Sequence, residues 1–249
     1  LLNHPHRDKT TEVAFLDEYK EVGFCLVRGI LDSEALRPVE ERCLQILEQF
    51  SGQRFSGLDD PDLVKYLTGS REAEQFLYQE IRRHPELVDL SLNGNIASVL
   101  RALLEKQQVD LLEKIPFRID CPMVLRELAV WHQDVHYVKG ATETITAWIP
   151  LFDAGFKEGC LLVMPGTHKL GQIPHEVNVL GKKFYPAGIF DNPVKYVEMK
   201  RGDVLFFNSC LLHSSGNNIS DTIRYSIQSR YLGADAVSDE VMGKRISVQ

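Results

Sequence analysis

The chain has 249 residues, 44% hydrophobic and 25% charged, the proportions of a soluble globular protein, and a length that suits a single domain of the β-barrel or sandwich type. A net charge of −7 without any long basic block argues against nucleic-acid binding, and no apolar run reaches membrane-spanning length. The five cysteines (Cys25, Cys43, Cys121, Cys160 and Cys210) are odd in number, widely spaced and without a CxxC, which excludes a zinc finger or disulfide framework and fits free thiols in a reducing, cytoplasmic compartment.

The opening LLNHPHRDKT lacks a signal-peptide apolar core, and the missing initiator Met fits a trimmed chain. The first 115 residues or so read as helix. A helical stretch opens at Thr10-Thr11-Glu12 and stops at Gly23, where FCLVRGIL follows as a short strand. Asp32 or Ser33 caps the next helix, in which Leu36, Val39, Cys43, Ile46, Leu47 and Phe50 recur at three- and four-residue spacing. Residues 51–62 carry Gly and Asp-Pro punctuation and read as loop. Helices are expected over 67–83, 85–92 and 95–104. From about 116 the chain changes to short β-rich runs, at 117–120, 124–131, 144–151, 159–164, 196–198, 203–208 and 222–231. The expected architecture is one domain over 1–249, mainly β with added helices, in which a helical layer (about 1–115) covers a β core (about 116–249).

Three residues carry the chemistry. His132 and Asp134 are two apart, so on a strand end both point to one side, and His213 would come from a distant strand. Two histidines and a carboxylate are the facial triad of non-heme Fe(II) oxygenases, which leaves the opposite face of the ion open. A His-x-Asp alone is common by chance or as a surface pair. Arg224, Ser226, Gln228 and Arg230 share one face of the strand over 223–230. An arginine inside a β core needs a partner, and a dicarboxylate would supply one through a bidentate pair with Arg224 and a hydrogen bond from Ser226. An edge strand with its polar face in water fits the same pattern. Thr144, Thr146 and Trp148 share a face of another strand, where Trp148 could wall a pocket or simply pack in the core.

HQDVHY, TAWIPL, EGCLLVMPGTHK, GDVLFFNSCLLHSSGNN and RYS occur in the order and spacing of the phytanoyl-CoA dioxygenase family, which the chain resembles over nearly its whole length, most weakly at 51–115. The resemblance implies a double-stranded β-helix (cupin-like jelly roll) that binds Fe(II) and 2-oxoglutarate and uses O2. On it, His132, Asp134 and His213 resemble the iron ligands. Arg224 resembles the partner of the distal carboxylate of 2-oxoglutarate, assisted by Ser226, and Gln133, Trp148, Gly159 and Asn218 match positions that line or support the pocket. Gly159 reads as a backbone requirement. His136, Tyr137, His175 and Arg230 are expected near substrate, and Arg118 and Arg126 are candidates by type for a further cosubstrate contact. His168 reads as a packing residue, His4, His6 and His84 as surface, and Lys182-Lys183 as solvated loop. The implied function is a dioxygenase that hydroxylates a C–H bond of a small molecule with release of succinate and CO2, without nucleic-acid or membrane partners. Related halogenases have Ala or Gly in place of Asp134. Desaturation or cyclisation on the same site, or a non-catalytic cupin-like binding module, are the alternatives.

Overall fold

The computed structural model describes residues 9–124, 130–139, 141–177, 184–186, 188, 190–235 and 245–248. Helix α1 (Lys9–Val22) leads into strand β1 (Phe24–Val27). Helix α2 (Ser33–Ser51) starts where the Asp32 carboxylate accepts the Ala35 N–H at 2.9 Å, and it buries Leu36, Val39, Cys43, Ile46 and Leu47. Then come α3 (Pro61–Gly69), α4 (Arg71–Ile81), α5 (Pro85–Ser91) and α6 (Gly94–Leu104).

Two helical expectations need correction. Helix α3 begins inside the stretch read as loop, because Asp60 accepts the Asp62 N–H and Pro61 occupies the first turn. The run 67–83 is two helices, since the Ser70 hydroxyl accepts the Ala73 N–H and starts a new one. Among the described residues, no single helix is long and apolar enough to cross a membrane.

The remaining strands are β2 (Val109–Leu112), β3 (Phe117–Asp120), β4 (Ile145–Pro150), β5 (Leu161–Val163), β6 (His175–Val177), β7 (Phe184–Pro186), β8 (Lys195–Val197), β9 (Val204–Asn208), β10 (His213–Ser215), β11 (Arg224–Gly233) and β12 (Arg245–Val248). Strand β2 falls inside the stretch expected to be helical. All four of its residues are buried, so no alternation marks it. Most of the strand expected at 124–131 lies outside the described residues, as do His4, His6, Arg126 and Lys182-Lys183.

The larger sheet runs β1-β9-β4-β11-β2-β12, with β3 also paired to β11. All these pairings are antiparallel. Alternation along its strands separates two surfaces. Ile119, Ala147, Ile149, Phe206, Tyr225, Ile227 and Tyr231 pack in one core with Leu36, Leu47, Leu77 and Leu100 of the helices. Trp148, Leu205 and Phe207 turn the other way and pack with Leu161, Val163 and Val197 of the smaller sheet, β10-β5-β8. Two opposed antiparallel sheets, one backed by helices, make the expected jelly roll. The space between them receives every polar residue of the inner face of β11.

Gly159 sits at the turn that brings β5 beside β10. Its φ is +77°, and a Cβ there would lie 2.4 Å from the Gly216 carbonyl oxygen. Gly159→Ala is expected to cost about 1–3 kcal/mol through backbone strain and displacement of that turn, read as a lower urea midpoint.

Candidate metal and cosubstrate site

His132 and His213 are held side by side by their own backbones. The His132 N–H donates to the His213 carbonyl at 3.0 Å, and the His213 N–H donates back at 3.1 Å, a two-residue β-bridge. Each imidazole is oriented in the same way. His132 Nδ1 lies 2.8 Å from the Val130 carbonyl and His213 Nδ1 lies 3.0 Å from that of Leu211. A carbonyl accepts only, so the protons sit on Nδ1 and the Nε2 lone pairs are left for a metal. Asp134 does not continue a strand as expected but opens a single 3-10 turn, Asp134–His136. That turn swings its carboxylate under the two rings, so that Oδ1 is 3.8 Å from His132 Nε2 and 3.9 Å from His213 Nε2. These separations are below about twice a metal–ligand bond of about 2.1 Å. The three are the group of His, Cys, Asp and Glu found among the described residues that could hold one ion.

The electrostatics prepare these ligands. Burial, then the neighbouring His213, pushes the His132 pKa down to about 3, and burial also lowers His213. Burial alone would raise Asp134, but Arg230, His213 and His132 together hold it well below the usual carboxylate range. At neutral pH the set is therefore two neutral imidazoles and one carboxylate, the deprotonated state a metal requires.

The cosubstrate side is built on β11. Arg224 is buried opposite Asp120 of β3 and donates to it through Nη2 at 2.7 Å. Arg118 grips the same carboxylate through Nε and Nη2. Asp120 is depressed well below the usual carboxylate range, since the two arginines outweigh its burial. Asp120 is thus shared between two guanidiniums, and Glu74 also acts on Arg118. Among the described residues, Arg224 Nε and Nη1, Ser226 Oγ and Trp148 Nε1 are buried donors without a hydrogen-bond partner. The Arg224 guanidinium lies 5.9 Å from the Trp148 ring centre. Each such group costs about 1–3 kcal/mol while unpaired. Four together, two of them on a buried guanidinium, fit an anion with several acceptor oxygens, and the distal carboxylate of 2-oxoglutarate is such a group.

Other residues singled out in the sequence lie elsewhere. Gln133 is fully buried with its side chain turned away from the metal group. It donates to the Gly171 and Cys210 carbonyls at 2.8 and 2.6 Å and accepts the Ile173 N–H at 2.8 Å, while its backbone N–H donates to His175 Nε2 at 3.1 Å. It therefore ties residues 171–175 to the loop before His213 and fixes the backbone between His132 and Asp134. Gln133→Ala removes three bonds and strands their partners. It is expected to cost about 3 kcal/mol or more, visible as a fall in Tm, without changing which residues meet the metal. Asn218 donates to the Asp120 and Thr222 carbonyls at 2.8 and 2.7 Å, so it braces the Asp120–Arg224 pair from behind. The His136 and His175 rings meet at a tilt with centres 3.9 Å apart, and each has a ring nitrogen on the Ile173 carbonyl. Tyr137 is exposed, edge-on to His132 and facing Arg230 at 5.8 Å. His168 packs over Gly23 and meets the Lys20 carbonyl.

Arg230, expected near substrate from the sequence, lies beside the metal group. It forms a two-pronged ion pair with Asp134, joined there by Thr146. Sequence reasoning missed the roles of Thr146 and Asp120. Thr146 stood on the right strand face, and Asp120 alternates with Arg118 in FRID, but their partners depend on strand register, which composition does not reveal.

The profile of the phytanoyl-CoA dioxygenase (PhyH) family matches residues 19–226. A probable phytanoyl-CoA dioxygenase of Caenorhabditis elegans is 25% identical over 230 residues, 87% of this chain and 74% of that protein. The peroxisomal phytanoyl-CoA dioxygenase of Bos taurus is 32% identical over 123 residues, 45% of this chain and 36% of that protein, so this second match spans about a third of its length. Among solved structures, the epimerase SnoN in complex with Fe3+, alpha ketoglutarate and nogalamycin RO superposes with a TM-score of 0.64 at 19% identity, over 91% of this chain and 85% of that one.

Proposed function

The chain belongs to the phytanoyl-CoA dioxygenase (PhyH) family, and on that premise we propose that it is an Fe(II)- and 2-oxoglutarate-dependent dioxygenase acting on a small molecule. In the overall reaction a C–H bond, 2-oxoglutarate and O2 become a C–OH group, succinate and CO2. The observation that carries this reading is the pairing of two sites: a deprotonated His132–Asp134–His213 set and, on the inner face of β11, a cluster of unsatisfied donors around Arg224. A metal-binding module without turnover has no use for the second.

The metal and the keto acid would supply the oxidising chemistry when bound. The residues of the chain do the rest. His132, Asp134 and His213 would hold the ion from one side. Arg224, Ser226 and Trp148 would hold the far carboxylate of the keto acid, with Asp120 and Arg118 setting the position of Arg224. Tyr137, exposed beside His132, would meet the substrate. Asp134 fills the position that halogenases leave to Ala or Gly, which favours oxygen transfer over halogenation. The five cysteines are buried and none is in a disulfide, which supports a reducing, cytoplasmic setting.

The test is a panel of small organic acids, amino-acid derivatives and acyl thioesters, incubated with Fe(II), 2-oxoglutarate and O2. The reading expects one class to raise succinate release and to yield a product heavier by one oxygen atom. Turnover of a substrate that does not need 2-oxoglutarate would contradict it.

A further inference from the structure

Asp134 carries more partners than a metal ligand needs. Its Oδ2 accepts the Thr146 hydroxyl at 2.6 Å and the Arg230 Nε–H at 3.1 Å, and its Oδ1 accepts from Arg230 Nη2 at 3.0 Å. An ionised carboxylate has about four lone-pair positions. Three are taken here, and the fourth, on Oδ1, is the one near both imidazoles. All three groups are buried, with the Arg230 side chain 9% exposed. Arg230 and Thr146 are also direct cross-strand partners in the β11–β4 register, so the rigid sheet sets the spacing of the two groups that grip Oδ2.

We propose that Arg230 and Thr146 are positioning residues that hold Asp134 as a one-oxygen ligand, keeping Oδ2 off the metal and so keeping room in the coordination shell for a chelating keto acid. This rests on the metal-site reading above. A carboxylate free to turn could offer both oxygens to the ion and occupy a position that 2-oxoglutarate needs. The planar fork of Arg230 fixes the carboxylate plane, which the point charge of a lysine cannot do. Geometry, not charge alone, is therefore the function of the residue.

The experiment is an anaerobic titration of the metal-free protein with Co(II) alone, followed by 2-oxoglutarate, in wild type, Arg230→Met, Arg230→Lys and Thr146→Val. Wild type is expected to bind one Co(II) per chain. In the two Arg230 variants Co(II) still binds, but its visible spectrum changes and the affinity of the loaded protein for 2-oxoglutarate falls by roughly tenfold or more, the scale on which supporting partners act at metal sites. Lysine does not rescue. Thr146→Val removes one hydroxyl and keeps the side-chain shape, so it remains testable if the arginine variants fold poorly, and it shifts both readouts in the same direction by less. Variants with an unchanged Co(II) spectrum and unchanged 2-oxoglutarate affinity, differing from wild type only in Tm, would overturn the proposal. A wild type that binds no Co(II) would overturn the metal-site reading and the clamp with it.

Discussion

Asp134→Ala is expected to abolish both metal binding and succinate formation. Three effects add in one substitution. The site loses the one anionic ligand found among the described residues, leaving two neutral imidazoles that cannot balance a dication. Removal of a mere supporting partner costs a metal site about 10- to 100-fold, and loss of the carboxylate itself exceeds that. The two-pronged pair with Arg230 is broken as well, which leaves a buried guanidinium without its counter-ion. Breaking a buried pair from one side costs about 3–5 kcal/mol, so the metal-free variant should also melt earlier than wild type. Asp134→Asn separates these effects, because it preserves the shape and removes the charge. It should recover part of the stability and none of the turnover. The readouts are Fe(II) or Co(II) binding, succinate release and thermal unfolding. Coupled turnover retained in Asp134→Ala would remove Asp134 from the ligand set.

Arg224→Met should have the second-largest effect, confined to the keto acid. Arg224 is a buried cation whose Nε and Nη1 have no partner among the described residues, on a strand face it shares with Ser226. Hydrogen bonds to charged groups contribute about 1.5–3 kcal/mol each, so losing the guanidinium should weaken 2-oxoglutarate by about 100-fold or more. Metal affinity without the keto acid should change little, because Arg224 pairs with Asp120 and not with the His132–Asp134–His213 group. Asp120 keeps Arg118 as a counter-ion in the variant, which limits the loss of stability. Arg224→Lys restores a charge but not the planar donor array, and should recover only part of the affinity. A variant that bound 2-oxoglutarate like wild type would place the far carboxylate elsewhere.

Much of this site was legible in the sequence because chain order carries local geometry. His-x-Asp forces two ligands into one neighbourhood, and alternation along 223–230 puts Arg224, Ser226 and Arg230 on one side of a strand wherever that strand lies. The resemblance to the phytanoyl-CoA dioxygenase family then implied the fold that brings His213 to the pair. What alternation cannot give is the neighbour across the sheet. Arg230 and Thr146 meet at Asp134, and Asp120 meets Arg224, only because β11 pairs with β4 and β3 in one particular register. Gln133 and Asn218 lie beside chemistry-bearing residues in sequence, yet the structure uses their amides to satisfy backbone carbonyls. An amide side chain next to a site is equally suited to either task, and only the positions of the surrounding loops decide between them. Strand β2 was hidden for another reason: its four residues, Val109–Leu112, are all buried and carry no alternation, and strands β6, β7 and β12 were not expected either.

The proposed function joins a metal at His132, Asp134 and His213 to a keto acid anchored by Arg224. Its most direct test is an anaerobic titration with Fe(II) and 2-oxoglutarate followed by visible absorption. The expected result is a weak metal-to-ligand charge-transfer band that needs both additions, saturates at one iron per chain, and requires far more 2-oxoglutarate in Arg224→Met. Fe(II) binding with no such band at saturating 2-oxoglutarate would show that the keto acid does not chelate the metal, and would overturn the proposed function.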